Sequence, residues 1–166
     1  MQKNSRPFLW LNALFVLVAA AIVIADQLSK NWVRSYTGGQ PMFEAGILRI
    51  IFVENTGSSF GMFQDQNFVL SIVAVIGVVL IIAFAAAISW KYKGIDFWLT
   101  KLSLGLILGG TLGNLLDRLN YGAVTDFIDV GPWPTFNVAD SAMVVGVILL
   151  VGFIVFSKRV KTAFSS

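Results

Sequence analysis

The chain has 166 residues and a net charge of +3, and it is 57 % hydrophobic but only 13 % charged. Soluble domains usually carry about 25 % charged residues, so a water-facing fold is excluded. With no cysteine and no histidine, a thiol nucleophile, a Ser-His-Asp triad, a disulfide and an ordinary zinc site are excluded too.

In chain order, the first long apolar run is Pro7 to Ala25, which has no charge. It exceeds the roughly 7–15-residue apolar core of a cleaved signal peptide, so a retained span is expected. The connection 26–66 follows. It contains Gly38-Gly39 and then Leu48 to Val53, rich in strand-forming residues. The second run, Asn67 to Trp90, is uncharged, and a short turn leads to the third, Phe97 to Leu116. Its single charge, Lys101, lies close enough to one end to be expected to snorkel. Gly105, Gly109 and Gly113 recur there at four-residue spacing beside Gly110, a pattern that lets helices approach closely. The connection 117–137 holds the strand-like Val124 to Val130 and the turn-rich Gly131-Pro132-Trp133-Pro134. The fourth run, Val138 to Phe156, carries only Asp140, at its start.

A span needs roughly 20 mainly apolar residues. The expected fold is therefore an α-helical integral membrane protein, one domain over residues 1–166. Four transmembrane helices, approximately 7–25, 67–90, 97–116 and 138–156, carry a small extracytoplasmic β-structure. Trp10, Trp32, Trp90, Trp98 and Trp133 fall near span ends, as an interfacial belt requires. Basic residues cluster at Lys3 and Arg6, at Lys91, Lys93 and Lys101, and at Lys158, Arg159 and Lys161. The positive-inside rule makes that side, with both termini, cytoplasmic. The opposite side holds Asp26, Glu44, Glu54, Asp65, Asp117, Asp126, Asp129 and Asp140, leaving only Asp96 inside. A basic face toward anionic lipid accounts for the net charge, so no nucleic-acid partner is expected.

Topology gathers Asp26, Asn114, Asp117, Arg118, Asn137 and Asp140 at the outer rim, with Asn55 and Asp126 in the connections that pass over it. Polar groups at membrane depth are expensive and usually mark function. Each residue also has a plainer reading: Asn137 as N-cap with Asp140 at the third helical position, Asp117-Arg118 as an adjacent ion pair, Asp126 and Asp129 as solvated loop acids. Two carboxylates facing one water can nonetheless hydrolyse a peptide without metal, thiol or histidine. The ionised one takes a proton and the protonated one donates, and close like charges push their pKa values apart. Asp126 and Asp140 are the candidates, because the turn-rich 127–139 segment can fold one toward the other. A Ser29/Lys30 dyad is poorly arranged, since adjacent side chains on a helix do not face each other.

The sequence resembles the bacterial lipoprotein signal peptidases, signal peptidase II. The matching pieces are Asp26-Gln27-Leu28-Ser29-Lys30, Asn55-Thr56-Gly57 with Phe60, Gly109 to Arg118, Val124 to Asp129, and Phe136 to Ser141. The resemblance implies an aspartic endopeptidase of the bacterial cytoplasmic membrane that cuts prolipoproteins before their diacylglyceryl-modified cysteine near the outer face. It implies Asp126 and Asp140 as the catalytic pair, with Asn55, Asn114, Arg118 and Asn137 orienting substrate or supporting the site. Asp26 and Asp117 would be polar supports. It further implies no metal or organic cofactor, contact with membrane lipids, and sensitivity to globomycin-type inhibitors. Ser58-Ser59 replaces the usual pair of alanines, and Thr125 stands where valine is common. Physically, Asp140 in the first turn of a helix would be held ionised by the helix dipole, making it the base and Asp126 the acid.

Two other readings predict different things. A small proton-coupled four-span transporter requires an essential acid near the bilayer midplane. A noncatalytic assembly factor requires Asp126 and Asp140 to be dispensable.

Overall fold

The computed structural model describes residues 6–57, 66–91 and 95–156, without the side chains of residues 6–8 and 66. Lys3, Ser58-Ser59, Phe60, Asp65, Lys93, Lys158, Arg159 and Lys161 therefore lie outside the described residues. The elements are α1 (Arg6–Ser35), β1 (Phe43–Ala45), β2 (Leu48–Asn55), α2 (Gln66–Trp90), α3 (Trp98–Tyr121), β3 (Val124–Val130) and α4 (Val138–Phe156). Four helices are long and apolar enough to cross a membrane.

The least apolar of the four, α3, is also the most buried. It touches α1, α2 and α4, so its faces meet protein and do not need to suit lipid. The other helices turn large apolar side chains outward, among them Leu17 on α1, Val79 and Leu80 on α2 and Ile148 on α4. In water such faces would drive aggregation; in a bilayer they are the surface the solvent wants.

Glycines set how close the helices come. A Cβ on Gly105 would sit 2.9 Å from the Phe15 carbonyl oxygen, and one on Gly109 would sit 2.7 Å from that of Ala19. The four-residue spacing is therefore the seam between α3 and α1. Gly110, one position round, faces the Ala139 carbonyl of α4, and Gly146 of α4 returns the contact toward Ser103.

Two helices run further than the hydropathy suggests. The charges from Asp26 onward were expected to end span one at Ala25, but α1 continues to Ser35, and α3 continues past Leu116 to Tyr121. The reason is mutual neutralisation. Asp26, Lys30 and Arg34 recur every four residues on one face of α1 and meet Asp117 of α3. The plainer reading of Asp117 as the partner of adjacent Arg118 gives way to its pairs with Lys30 and Arg34 across the helix interface.

Lys101 departs from expectation in the same way. It does not snorkel but is fully buried. Its ammonium donates to Asn12 Oδ1 at 2.9 Å, to the Ala85 carbonyl at 3.1 Å and to Ser89 Oγ, and it pairs with Asp96 at 3.3 Å. Placed on the central helix, it has protein on every side and is satisfied there.

Above the bundle end that carries Asp117 lies a three-stranded antiparallel sheet of order β1-β2-β3. Gly46, at φ 62°, opens the two-residue loop that pairs Ala45 with Leu48. That backbone conformation suits glycine at the first position of a tight hairpin turn. β3 is the innermost strand, buried along most of its length against α1 and α3.

Adding a methyl at Gly109 should separate α1 from α3. Gly109→Ala is expected to cost about 1–3 kcal/mol of overpacking strain and to lower the thermal midpoint in detergent. Gly152→Ala, with nothing within 4 Å of the new Cβ, should leave it unchanged. Equal midpoints for both variants would refute the close seam.

Candidate active site

The site begins with a local event in β3 and the turn after it. Arg49 pairs with Asp129, and Asp129 Oδ1 accepts from the Gly131 amide at 3.0 Å. Gly131 takes φ 72°, and the chain folds back so that Phe136 bridges Ile128. The Phe136 carbonyl accepts from the Phe127 and Ile128 amides at 3.0 and 2.8 Å. The next residue, Asn137, is thereby set beside Asp126.

Asn137 then starts α4. Its Oδ1 accepts from the Asp140 amide at 2.9 Å, and the Asp140 carboxylate accepts from the Asn137 amide at 3.2 Å. This is a reciprocal N-terminal cap. Because a backbone N–H can only donate, it fixes the Asn137 oxygen toward α4 and hands the amino group to the other side. That amino group donates to Asp126 Oδ1 at 2.7 Å and also lies 3.1 Å from Asn114 Oδ1 and 3.3 Å from the Thr125 carbonyl. One asparagine therefore touches both candidate carboxylates, and the plain helix-cap reading and the functional one hold together.

The other asparagines obey the same logic. Asn55 Oδ1 accepts from the Gly57 amide at 2.9 Å, and its amino group donates to Asp126 Oδ2 at 2.8 Å. Asn114 Oδ1 accepts from Lys30 Nζ at 2.9 Å, and its amino group donates to Asp140 Oδ1 at 2.7 Å. Each amide oxygen is held by a group that can only donate, so each amino group is turned to a carboxylate.

Asp26 and Asp117 sit one layer below and are fully buried. Asp26 Oδ1 accepts from the Ala139 amide at 3.0 Å and so anchors the start of α4. Asp117 Oδ2 accepts from the Thr125 amide at 2.9 Å and anchors the start of β3. Gln27 donates to both carboxylates, at 3.2 and 3.1 Å. Arg34 pairs with Asp117 at 2.7 Å, donates to Thr125 Oγ1 at 2.9 Å and lies over the Tyr121 ring at 4.1 Å. Gly113 leaves room for Asp26, whose Oδ2 would be 2.6 Å from a Cβ there. Half-buried Arg118 lies where the charges of Asp140, Asp126 and Asp117 act on its guanidinium. Every residue expected at the rim is thus brought to it.

Gln27, Lys30, Arg34 and Thr125 were not among the expected site residues. The signal for the two cations was the four-residue recurrence of Asp26, Lys30 and Arg34. Ser29 turns away, its hydroxyl donating to the Asp26 carbonyl at 2.8 Å, so it forms no dyad with Lys30.

Asp126 is 3 % exposed. Burial pushes its carboxyl up to about 6, and the Asp140 charge adds to the effect. Hydrogen bonds from Asn55 and Asn137 and the charge of Lys30 oppose it without cancelling it.

Four helices able to cross a membrane, with two amide-held carboxylates at one end, define a class, the multi-pass membrane proteins. A solved bacterial membrane enzyme, determined in meso at 1.9 Å resolution, matches with a TM-score of 0.75 and 27 % identity, covering 87 % of this chain and 94 % of that one. A second, at 2.3 Å resolution, matches with a TM-score of 0.72 and 27 % identity over 85 % and 87 % of the two chains. Residues 18–156 match the signal peptidase (SPase) II family. A lipoprotein signal peptidase of Moorella thermoacetica is 39 % identical over 82 % of this chain and 89 % of the relative. One of Dehalococcoides mccartyi is 43 % identical over 86 % and 90 %. The chain belongs to the signal peptidase II family, and it is a membrane protease.

Because its folded value lies above the usual carboxylate range, Asp126 should hold its proton through mildly acidic pH and lose it as pH rises through about 6. Infrared difference spectra between pH 4.5 and 7.5 should show a carboxylic-acid band disappearing with that midpoint, absent in Asp126→Asn. A band in Asp126→Asn identical to the parent's would assign the proton elsewhere.

Proposed function

We propose that this protein removes signal peptides from diacylglyceryl-modified prolipoproteins, cutting just before the lipidated cysteine, with Asp126 and Asp140 activating water. The observation that carries the proposal is Asn137, which binds the Asp126 carboxylate through its side chain and the Asp140 carboxylate through its backbone amide.

The two acids have different surroundings, and this separates their roles. Asp126 is buried on a strand with its carboxyl pushed up to about 6, which suits a proton donor. Asp140 lies in the first turn of α4, where its carboxylate accepts from the Asn114 amino group at 2.7 Å and the Asn137 amide at 3.2 Å, and it takes the part of the base. In the reaction, Asp140 takes a proton from water as its oxygen attacks the scissile carbonyl carbon, and Asp126 gives its proton to the carbonyl oxygen. As the tetrahedral species collapses, the carbon–nitrogen bond breaks and the departing amine takes the proton from Asp140. The second hydroxyl proton returns to Asp126, regenerating the starting pair.

Arg118 and the asparagines hold the substrate's backbone near the pair where water is scarce, and Asp26 and Asp117 act as the supports that anchor β3 and α4. The substrate's apolar segment lies among the spans of this single membrane domain while its acyl chains stay in lipid, so they need no desolvation. The membrane is the bacterial cytoplasmic one, with both termini inside and the site near the outer face. A globomycin-type peptide is expected to occupy the same place.

Purified protein should cleave a diacylglyceryl-modified prolipoprotein before the modified cysteine. Folded Asp126→Asn and Asp140→Asn should each lose activity by on the order of 10³-fold or more. Normal turnover by either variant would remove that acid from the mechanism, and an inactive folded parent would sink the substrate assignment.

A further inference from the structure

The buried cations include one that reaches beyond its own ion pairs. Lys30 is fully buried, and its ammonium has three hydrogens for three oxygens: Asp26 Oδ2 at 2.8 Å, Asp117 Oδ2 at 3.3 Å and Asn114 Oδ1 at 2.9 Å. Charge balance does not require the third contact. Asp26 and Asp117 carry two negative charges, and Lys30 with Arg34 already supplies two positive ones. The contact to Asn114 does something else.

An asparagine amide offers an oxygen that accepts and an amino group that donates, and the two ends are nearly the same size. Which end faces which neighbour is decided by those neighbours. The oxygens of Asn55 and Asn137 are fixed by backbone amides, those of Gly57 and Asp140. Among the described residues Asn114 has no such backbone donor; its oxygen meets the Lys30 ammonium and the Asn137 amino group. That amino group has two hydrogens for three acceptors, and its short bond goes to Asp126 at 2.7 Å. A reversed Asn114 amide would set its amino group against an ammonium and its oxygen against the Asp140 carboxylate, two repulsions in a low-dielectric site.

We infer that Lys30 is a positioning residue for the reaction: as a donor-only group it fixes the direction of the Asn114 amide and so keeps a hydrogen-bond donor aimed at the Asp140 carboxylate. This rests on the reading of Asp140 as the catalytic carboxylate that takes the proton from water. Lys30 reaches the Asp140 carboxylate through Asn114, in addition to its pairs with Asp26 and Asp117.

The test separates positioning from simple support of the fold. Lys30→Met is combined with Asp26→Asn, which removes one charge of each sign and leaves Arg34 and Asp117 balanced. Cleavage of a diacylglyceryl-modified prolipoprotein is measured on monodisperse protein in the Asp26→Asn background, with and without Lys30→Met and Asn114→Ala. Lys30→Met is expected to lower kcat by on the order of 10- to 100-fold, with KM within about twofold. In a background already carrying Asn114→Ala, it should lower kcat no further, because the group it orients is gone. An unchanged kcat per folded molecule, or the same loss in both backgrounds, overturns the inference while leaving the peptidase reading intact. Should the combined variant not fold, Lys30→Gln in the parent decides: a folded enzyme with parental kcat overturns the inference, and a lowered kcat at unchanged KM supports it. Inactivity of the parent on this substrate is a separate result, and it overturns the reading on which the inference rests together with the inference.

Discussion

The rim of this protein hangs from four charges between α1 and α3, three of them fully buried and Arg34 partly so. Asp26, Lys30, Arg34 and Asp117 lie where the helices meet. Taking such groups out of water costs several kcal/mol each, and the cost is offset only when each is paired and hydrogen-bonded. Here they are, and the bonds left over tie the next layer down. Asp26 holds the start of α4 through the Ala139 amide, and Asp117 holds the start of β3 through the Thr125 amide. Helix packing and site geometry meet at Gly113, whose missing side chain is the space Asp26 occupies.

Above that layer, asparagine is the residue that addresses the carboxylates. The choice has a physical basis. An amide donor steadies a carboxylate without adding a full positive charge, so it does not depress the acid as an ammonium at the same distance would. Lys30 stays one bond removed, contacting Asn114 while Asn114 contacts Asp140. Asp126 keeps its carboxyl near 6 although two amides bind it, because burial outweighs them. Asp126, raised by burial on its strand, and Asp140, in the first turn of α4, thus sit in different surroundings on the two sides of Asn137.

Much of this was legible in the linear sequence, for reasons local to it. The four spans follow from long uncharged runs. Strands at Leu48 to Val53 and Val124 to Val130 follow from β-branched and aromatic residues. The Asn137 cap with Asp140 three residues on needs only the chain around it, and the Gly105, Gly109, Gly113 spacing states a close helix contact without naming the partner. The expectation that failed for Lys101 was equally local: a lysine near a span end normally reaches water, and nothing nearby in sequence shows that α3 is the enclosed helix.

By itself, then, the sequence determined what each segment is: spans, strands, a cap and a rim of acids and amides. The tertiary structure alone decided which group meets which. Lys30 and Asn114 are 84 residues apart and Asp26 and Ala139 are 113, so their pairing depends on how α1, α3 and α4 are rotated against one another. So does the direction of the Asn114 amide, since its two ends look alike in the chain and only the donor on one side and the carboxylate on the other tell them apart.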